Sequence, residues 1–224
     1  MSQVFGNYNQ NQRSSNWTDP PKDWLDVIGS ETPATTHGLI AVRPALEVGF
    51  TEGSVKKYLL VTTAGPAGVD WNCHACIGVI GAFEFVSDKN GWTMEAGNKE
   101  ILDVDTGQLP GVHLLPVGWD RYGFTFSMSS MGNGGDGADL LTVVVPVAGR
   151  LAPALIEDTN DYTDGDKIET NSVEVMPSKT IESRPEYYDV RVATRDVKKG
   201  TTSIAVYSFN TATGKYQRKA NSPL

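Results

Sequence analysis

Past residue 38 the apolar positions come in short runs that stop at glycine, proline or Asp/Asn clusters. Gly38–Val42 and Ala45–Phe50 flank Pro44, and the β-branched Lys57–Thr63 (KYLLVTT) ends at Gly65-Pro66-Ala67-Gly68. Ile77–Val86 alternates Ala82, Glu84 and Val86 with Phe83 and Phe85, then turns through Asp88-Lys89-Asn90-Gly91 into Trp92–Glu95. That is the pattern of a β-hairpin. Val112–Val117 and Gly123–Phe126, joined at Trp119-Asp120-Arg121, predict a second hairpin. Leu140–Val147 and Arg150–Ile156, joined at Ala148-Gly149, predict a third. Val173–Met176, Tyr187–Thr194, Thr202–Asn210 and Lys215–Gln217 follow, the last two linked through Thr213-Gly214. No stretch sustains a 3.6-residue period, and the one helical turn predicted is Asp23–Ile28, with Trp24, Leu25 and Ile28 on one side. The expected fold is all-β: an antiparallel meander forming a sandwich, barrel or partial propeller. Parallel α/β lacks its crossover helices.

The first twenty residues break this pattern. They are rich in Asn and Gln and carry only Val4, Phe5, Tyr8 and Trp17 as apolar anchors. Ordering a residue costs about 1–2 kcal/mol of backbone entropy, which four anchors offset only in part. The segment is therefore expected to be an interaction arm that gains backbone hydrogen bonds by adding a strand to a sheet edge, of this chain or of a neighbour. The organisation expected is an arm over residues 1–20 and one β-rich domain over 21–224, since all-β domains of this size often form a single unit.

Composition narrows the partners. A net charge of −8 disfavours nucleic acid and anionic membranes, which reward basic surfaces. No apolar run approaches the roughly 18 residues of a membrane helix, and no basic segment leads into an apolar stretch as in a secretory signal. The compartment stays open between cytoplasm and the mature part of an exported protein. Acids crowd between Glu157 and Glu169, whereas basic residues dominate from Arg184 to Lys219. This asymmetry suits docking to a protein or to another copy of the chain.

The run Asn72-Cys73-His74-Ala75-Cys76, followed by Ile77–Phe83 and by Trp92–Asn98, resembles a group of uncharacterised bacterial proteins. In that group a Cys-His-x-Cys motif leads into an apolar strand of small residues and then a Trp-containing hairpin. The similarity extends through Gly118–Phe124 and Val147–Arg150 to Tyr187-Tyr188-Asp189, while the export signal and further downstream cysteines of the group are missing here. The resemblance implies the β-rich fold and no activity.

Three groups of residues could carry chemistry. Cys73 and Cys76 form a C-x-x-C pair that suits a disulfide or buried thiols, half of a zinc site, or a redox centre. Haem attachment is excluded because Ile77, not His, follows Cys76, and a strand after the pair is not the helical setting of a thioredoxin motif. Zinc would need ligands from His37, His74 and His113, so a structural pair is expected. Asp158, Asn160, Asp161, Asp164 and Asp166 supply oxygens around Gly165 that could hold calcium, although the spacing departs from the EF-hand pattern. A solvated turn is the plainer expectation there, as for the glycine loop Gly132–Asp139, which lacks the Lys-Ser/Thr and helix of a phosphate cradle. No Gly-x-Ser-x-Gly elbow or His-Glu-x-x-His occurs.

The function expected is a non-enzymatic protein-binding or assembly module, either a structural subunit or an inhibitor or immunity-type partner. It would need no cofactor other than the calcium those acids could hold. The alternatives are a secreted or periplasmic enzyme using loop-end carboxylates or a metal, and a thiol-disulfide protein built on Cys73 and Cys76.

Overall fold

Strand after strand follows from residue 40 onward in the computed structural model, which describes residues 1–20, 40–67, 77–105, 111–131, 136–163, 166–177 and 184–219. A four-residue helix, α1 (Ser2–Phe5), and a short strand, β1 (Ser15–Trp17), precede β2 (Ile40–Glu52), β3 (Val55–Pro66), β4 (Ile77–Asp88) and β5 (Gly91–Asp105). These five strands form one antiparallel sheet in the order β1-β2-β3-β4-β5. The remaining strands are β6 (Gly111–Gly118), β7 (Arg121–Met131), β8 (Gly137–Val147), β9 (Arg150–Thr163), β10 (Asp166–Met176), β11 (Asp189–Asp196), β12 (Thr202–Asn210) and β13 (Lys215–Arg218). They form an eight-stranded sheet in strict chain order. The all-β antiparallel meander expected from the pattern is what is found. The chain divides into two compact units, Met1–Phe50 with Val55–Pro110, and Thr51–Ser54 with Gly111–Leu224.

In the first unit the N-terminal segment completes the core of its own sheet. Phe5 and Trp17, both buried, join Ile40, Val42, Leu60, Ala64, Val79, Phe83 and Phe85 in one apolar cluster, against which Val4 and Tyr58 pack. The Phe5 ring stands edge-on to Trp17 and Phe83, with centroids 6.0 and 5.5 Å away. Backbone pairing of Ser15 with Val42 and of Trp17 with Ile40 supplies the hydrogen bonds that a polar segment needs to be ordered. The strand addition expected of residues 1–20 is thus made to an edge of the same chain. The ammonium of Lys99 in β5 lies 5.7 Å from the centres of the Phe5 and Trp17 rings and 3.1 Å from the Asp19 carboxylate. One edge strand of the sheet is thereby tied to the residues that follow the other. Two bulges in the β4–β5 ladder, near Gly81 and between Glu84 and Phe85, give the curvature this needs.

The second unit curls by similar means. Its core gathers Val117, Val143, Val145, Ala154, Leu155, Val190, Val192 and Tyr216 from five strands. The end of β6 bonds to the segment leading into β11: the Trp119 amide donates to Pro185 O at 3.0 Å, and the Tyr188 amide to Val117 O at 2.7 Å. At this crossing a Cβ on Gly118 would sit 1.9 Å from Glu186 O, so glycine is required. Arg121 donates to the Tyr187 hydroxyl at 2.7 Å and pairs with Glu186 at 3.0 Å. Tyr187 in turn stacks on Phe209 and donates to Pro146 O.

The strands run further than hydrophobicity alone predicts. β5 continues past Glu95 to Asp105, β9 past Ile156 to Thr163, and β10 begins at Asp166 instead of Val173. The β9 and β10 extensions are mostly polar, while that of β5 carries the buried Ala96 and Ile101, and all three are held by backbone pairing to neighbouring strands. The turn Asp23–Ile28 lies outside the described residues.

Three substitutions check this packing by chemical denaturation. Gly118→Ala is expected to lose about 3 kcal/mol, because backbone on both sides must move apart. Gly49→Ala, whose Cβ would meet only Lys57 O at 3.9 Å, is expected to stay within about 1 kcal/mol of the parent. Phe5→Ala is expected to cost about 3–5 kcal/mol, the usual loss for an aromatic removed from a core; a loss below about 1 kcal/mol would show that the N-terminal segment does not contribute to it.

Candidate functional site

Cross-strand partners in an antiparallel ladder share a face. The register pairs Tyr58 with Phe85 and Phe85 with Met94, which places these three in a row across β3, β4 and β5. Leu60 lies two residues from Tyr58, and Trp92 two from Met94, on the same side. With Glu47 of β2 and residues 1–3, Tyr58, Leu60, Phe85 and Trp92 of this face line a cleft of about 350 Å³ in the first unit. Its floor is apolar, since Leu60 and Phe85 are buried. At its open side Trp92 is 45% exposed, and Met94, two residues further along the same face and outside the lining, is 54% exposed.

Among the described residues that line the cleft, Glu47 is the carboxylate, beside the polar Ser2, Gln3 and Tyr58 hydroxyl. One of its oxygens accepts a hydrogen bond from the Tyr58 hydroxyl at 3.2 Å, and the other meets Arg13 at 3.0 Å. Burial raises the Tyr58 phenol above its ordinary value, with the charge of Glu47 and the nearby Tyr8 acting in the same direction. Tyr58 is therefore a fixed donor. The rings of Tyr58 and Trp92 are tilted by 58° with centroids 5.9 Å apart, so they form two walls that are not parallel.

On the opposite face of these strands lies an ion cluster. Lys57 meets Glu84 at 2.6 Å and Glu95 at 2.7 Å. Glu84 is only 2% exposed. A buried carboxylate left without its cation would be strongly destabilising, so this cluster holds the three strands in register.

The residues singled out in the sequence fall elsewhere. Phe5 and Trp17 are core, and Val4 and Tyr8 are half-buried. Asp158, Asn160 and Asp161 lie on β9 and Asp166 opens β10, while Asp164 is outside the described residues. Of the described ones, Asp158, Asn160 and Asp161 are set along β9 as strand residues. The hub of this region is Asp139, whose carboxylate accepts from Ser129 at 2.6 Å, Asn160 at 2.6 Å and Tyr162 at 3.0 Å. Among the described residues no three His, Cys, Asp or Glu side chains are grouped to hold a metal ion. Cys73, Cys76 and Gly132–Gly135 lie outside the described residues.

The cleft was not foreseen. Its signal was the placing of Tyr58 in KYLLVTT and of Trp92 and Met94 in WTME, which meet only once the β3–β4–β5 register is known. No family model matches the chain, and no curated protein or solved structure matches it either.

Two carboxylates in the second unit give opposite pH signatures. Burial opposes the charge of Asp139, but hydrogen bonds from Ser129, Asn160 and Tyr162, together with Lys167, outweigh it and hold its pKa below the ordinary 3.8. The stability it contributes is present above that value and is lost as pH falls through the depressed one. Burial raises Glu157 above its ordinary 4.5, against the hydrogen bond from Tyr207 and aided by Asp158. Its contribution is present below 4.5 and is lost as pH rises through the raised value. Melting curves between about pH 2.5 and 7 are expected to show Asp139→Asn costing most at the neutral end. Glu157→Gln is expected to gain on the parent as pH rises. Parallel curves for either variant would contradict its assignment.

Proposed function

We propose that this chain is a non-enzymatic protein-binding module whose contact site is the Tyr58–Trp92 cleft. The observation that carries the reading is the exposure of Trp92 and Met94 side by side on β5, where polar residues would cost nothing. Large aromatic and methionine side chains left in water beside a preformed recess are the usual anchors of a protein interface. The recess has the size of one or two side chains, which suits a short segment of a partner. The acidic character of the chain, with Glu47 inside the cleft, favours a partner that is basic at the contact.

Panning a library of phage-displayed random peptides against the folded protein tests this. The parent is expected to enrich peptides that the double variant Trp92→Ala/Met94→Ala fails to retain, with the variant's melting temperature unchanged within a few degrees. Equal enrichment by both proteins, or none by the parent, would remove the cleft as the contact site.

A further inference from the structure

The first unit contains an arrangement that answers what the cleft is suited to hold. The Lys99 ammonium sits over two aromatic rings, Phe5 and Trp17, at 5.7 Å from each, and ends on the carboxylate of Asp19 at 3.1 Å. Two ring faces and a carboxylate thus hold a lysine head within this fold. The cleft presents the same three parts: the rings of Tyr58 and Trp92 and the carboxylate of Glu47. Among the described residues that line it there is no lysine.

We propose that the cleft takes the side chain of a lysine carried by a protein partner, an inference that rests on the protein-binding reading. A ring face attracts a cation through its quadrupole, and the attraction grows where water is displaced. Tyr58 and Trp92, tilted at 58°, offer a corner instead of a flat wall, so a compact ammonium can contact both rings. The four methylenes of a lysine stem match the apolar floor of Leu60 and Phe85, which long side chains cover while the charged head reaches a polar group. Glu47 is that polar group. Two cations already face it: the α-ammonium of Met1 at the cleft wall, which feels the Glu47 charge, and Arg13, whose side chain is 69% exposed, and exposed pairs of the latter kind are worth about 0–1 kcal/mol. An incoming ammonium can therefore share the carboxylate or displace the guanidinium at little cost. The Tyr58 hydroxyl, donating to Glu47 Oε1, keeps the carboxylate turned toward the ring pair.

The probe is Nα-acetyl-lysine N-methylamide, titrated into the full chain and followed by NMR shifts and tryptophan fluorescence. Saturable binding is expected, weakening as salt is added. The Nε-acetylated form, which keeps the stem and loses the charge, should bind at least about tenfold more weakly. Trp92→Ala should lose binding to a similar extent, Trp92→Phe should restore most of it, and Glu47→Gln should weaken it. Equal affinity for the acetylated probe, binding unaffected by Trp92→Ala, or no saturable shift up to about 50 mM would overturn the inference. Choline binding more tightly than the lysine probe would overturn the choice of a protein side chain over a lipid headgroup. Panned peptides that depend on Trp92 but contain no lysine would sink this inference alone. Failure to enrich any Trp92-dependent peptide would sink the protein-binding reading itself.

Discussion

A carboxylate in the middle of β4 constrains the first unit more than any other group. Glu84 is buried, and its charge is answered by Lys57 at 2.6 Å from the neighbouring strand. Because side chains alternate across a strand, a slip of one residue would carry Lys57 to the wrong face and leave Glu84 unpaired in the interior. An apolar pair would not discriminate so sharply, since β3 is buried on both faces from Leu59 to Pro66 and tolerates many registers by hydrophobicity alone. The ion cluster therefore selects the register that lines up Tyr58, Phe85 and Met94. The cleft on one face is a consequence of the charges on the other.

Both units face the same hazard, the open edges of a meander, and both meet it with local devices. In the first, β1 covers only Ile40–Val42 of β2, yet the residues just after it hold Lys99 of β5 through Asp19 and two rings. In the second, the end of β6 is hydrogen-bonded by residues 185–188, and the approach is so close that only Gly118 admits it. Unpaired edges invite pairing with other chains. A cation on aromatic rings or a glycine-sized gap blunts them with few residues and without a covering helix.

Much of the fold was legible because it rests on short-range signals. Thr202–Asn210 matches β12, and the turns at Asp88–Gly91, Ala148-Gly149 and Thr213-Gly214 lie between paired strands as expected. Ala148 and Gly149 both adopt positive φ, the geometry that matches a tight turn to strand twist. The polar halves of β9 and β10, and the continuation of β5 past Glu95, were not legible. Residues such as Glu157, Asp158 and Asn160 carry no apolar period, and their strand conformation comes from ladders with β8 and β10 that no local window contains. The same limit hid the candidate site. In the sequence Asp139 closes a glycine loop, but its partners come from residues 129, 160 and 162. Tyr58 and Trp92 become neighbours only after three strands are in register.

The N-terminal segment joins these themes, because it builds the core and the cleft at once. Phe5 is packed among Trp17, Phe83 and the rest of the apolar cluster, while residues 1–3 form part of the cleft wall. A helix of four residues has little stability of its own, so α1 exists because its last residue is buried. Anything that seats against residues 1–3 must then favour the docked state of Phe5, by the linkage that makes any ligand of the native state a stabiliser. Occupancy of the cleft and closure of the sheet by Asp19 and Lys99 are coupled through a segment of fewer than twenty residues. The asparagine- and glutamine-rich composition fits this position. It leaves Phe5 and Trp17 as the principal attachments, so the segment is held firmly where they are buried, and the stretch between them is shaped by Asn9, whose side chain accepts from the amides of Asn11 and Gln12.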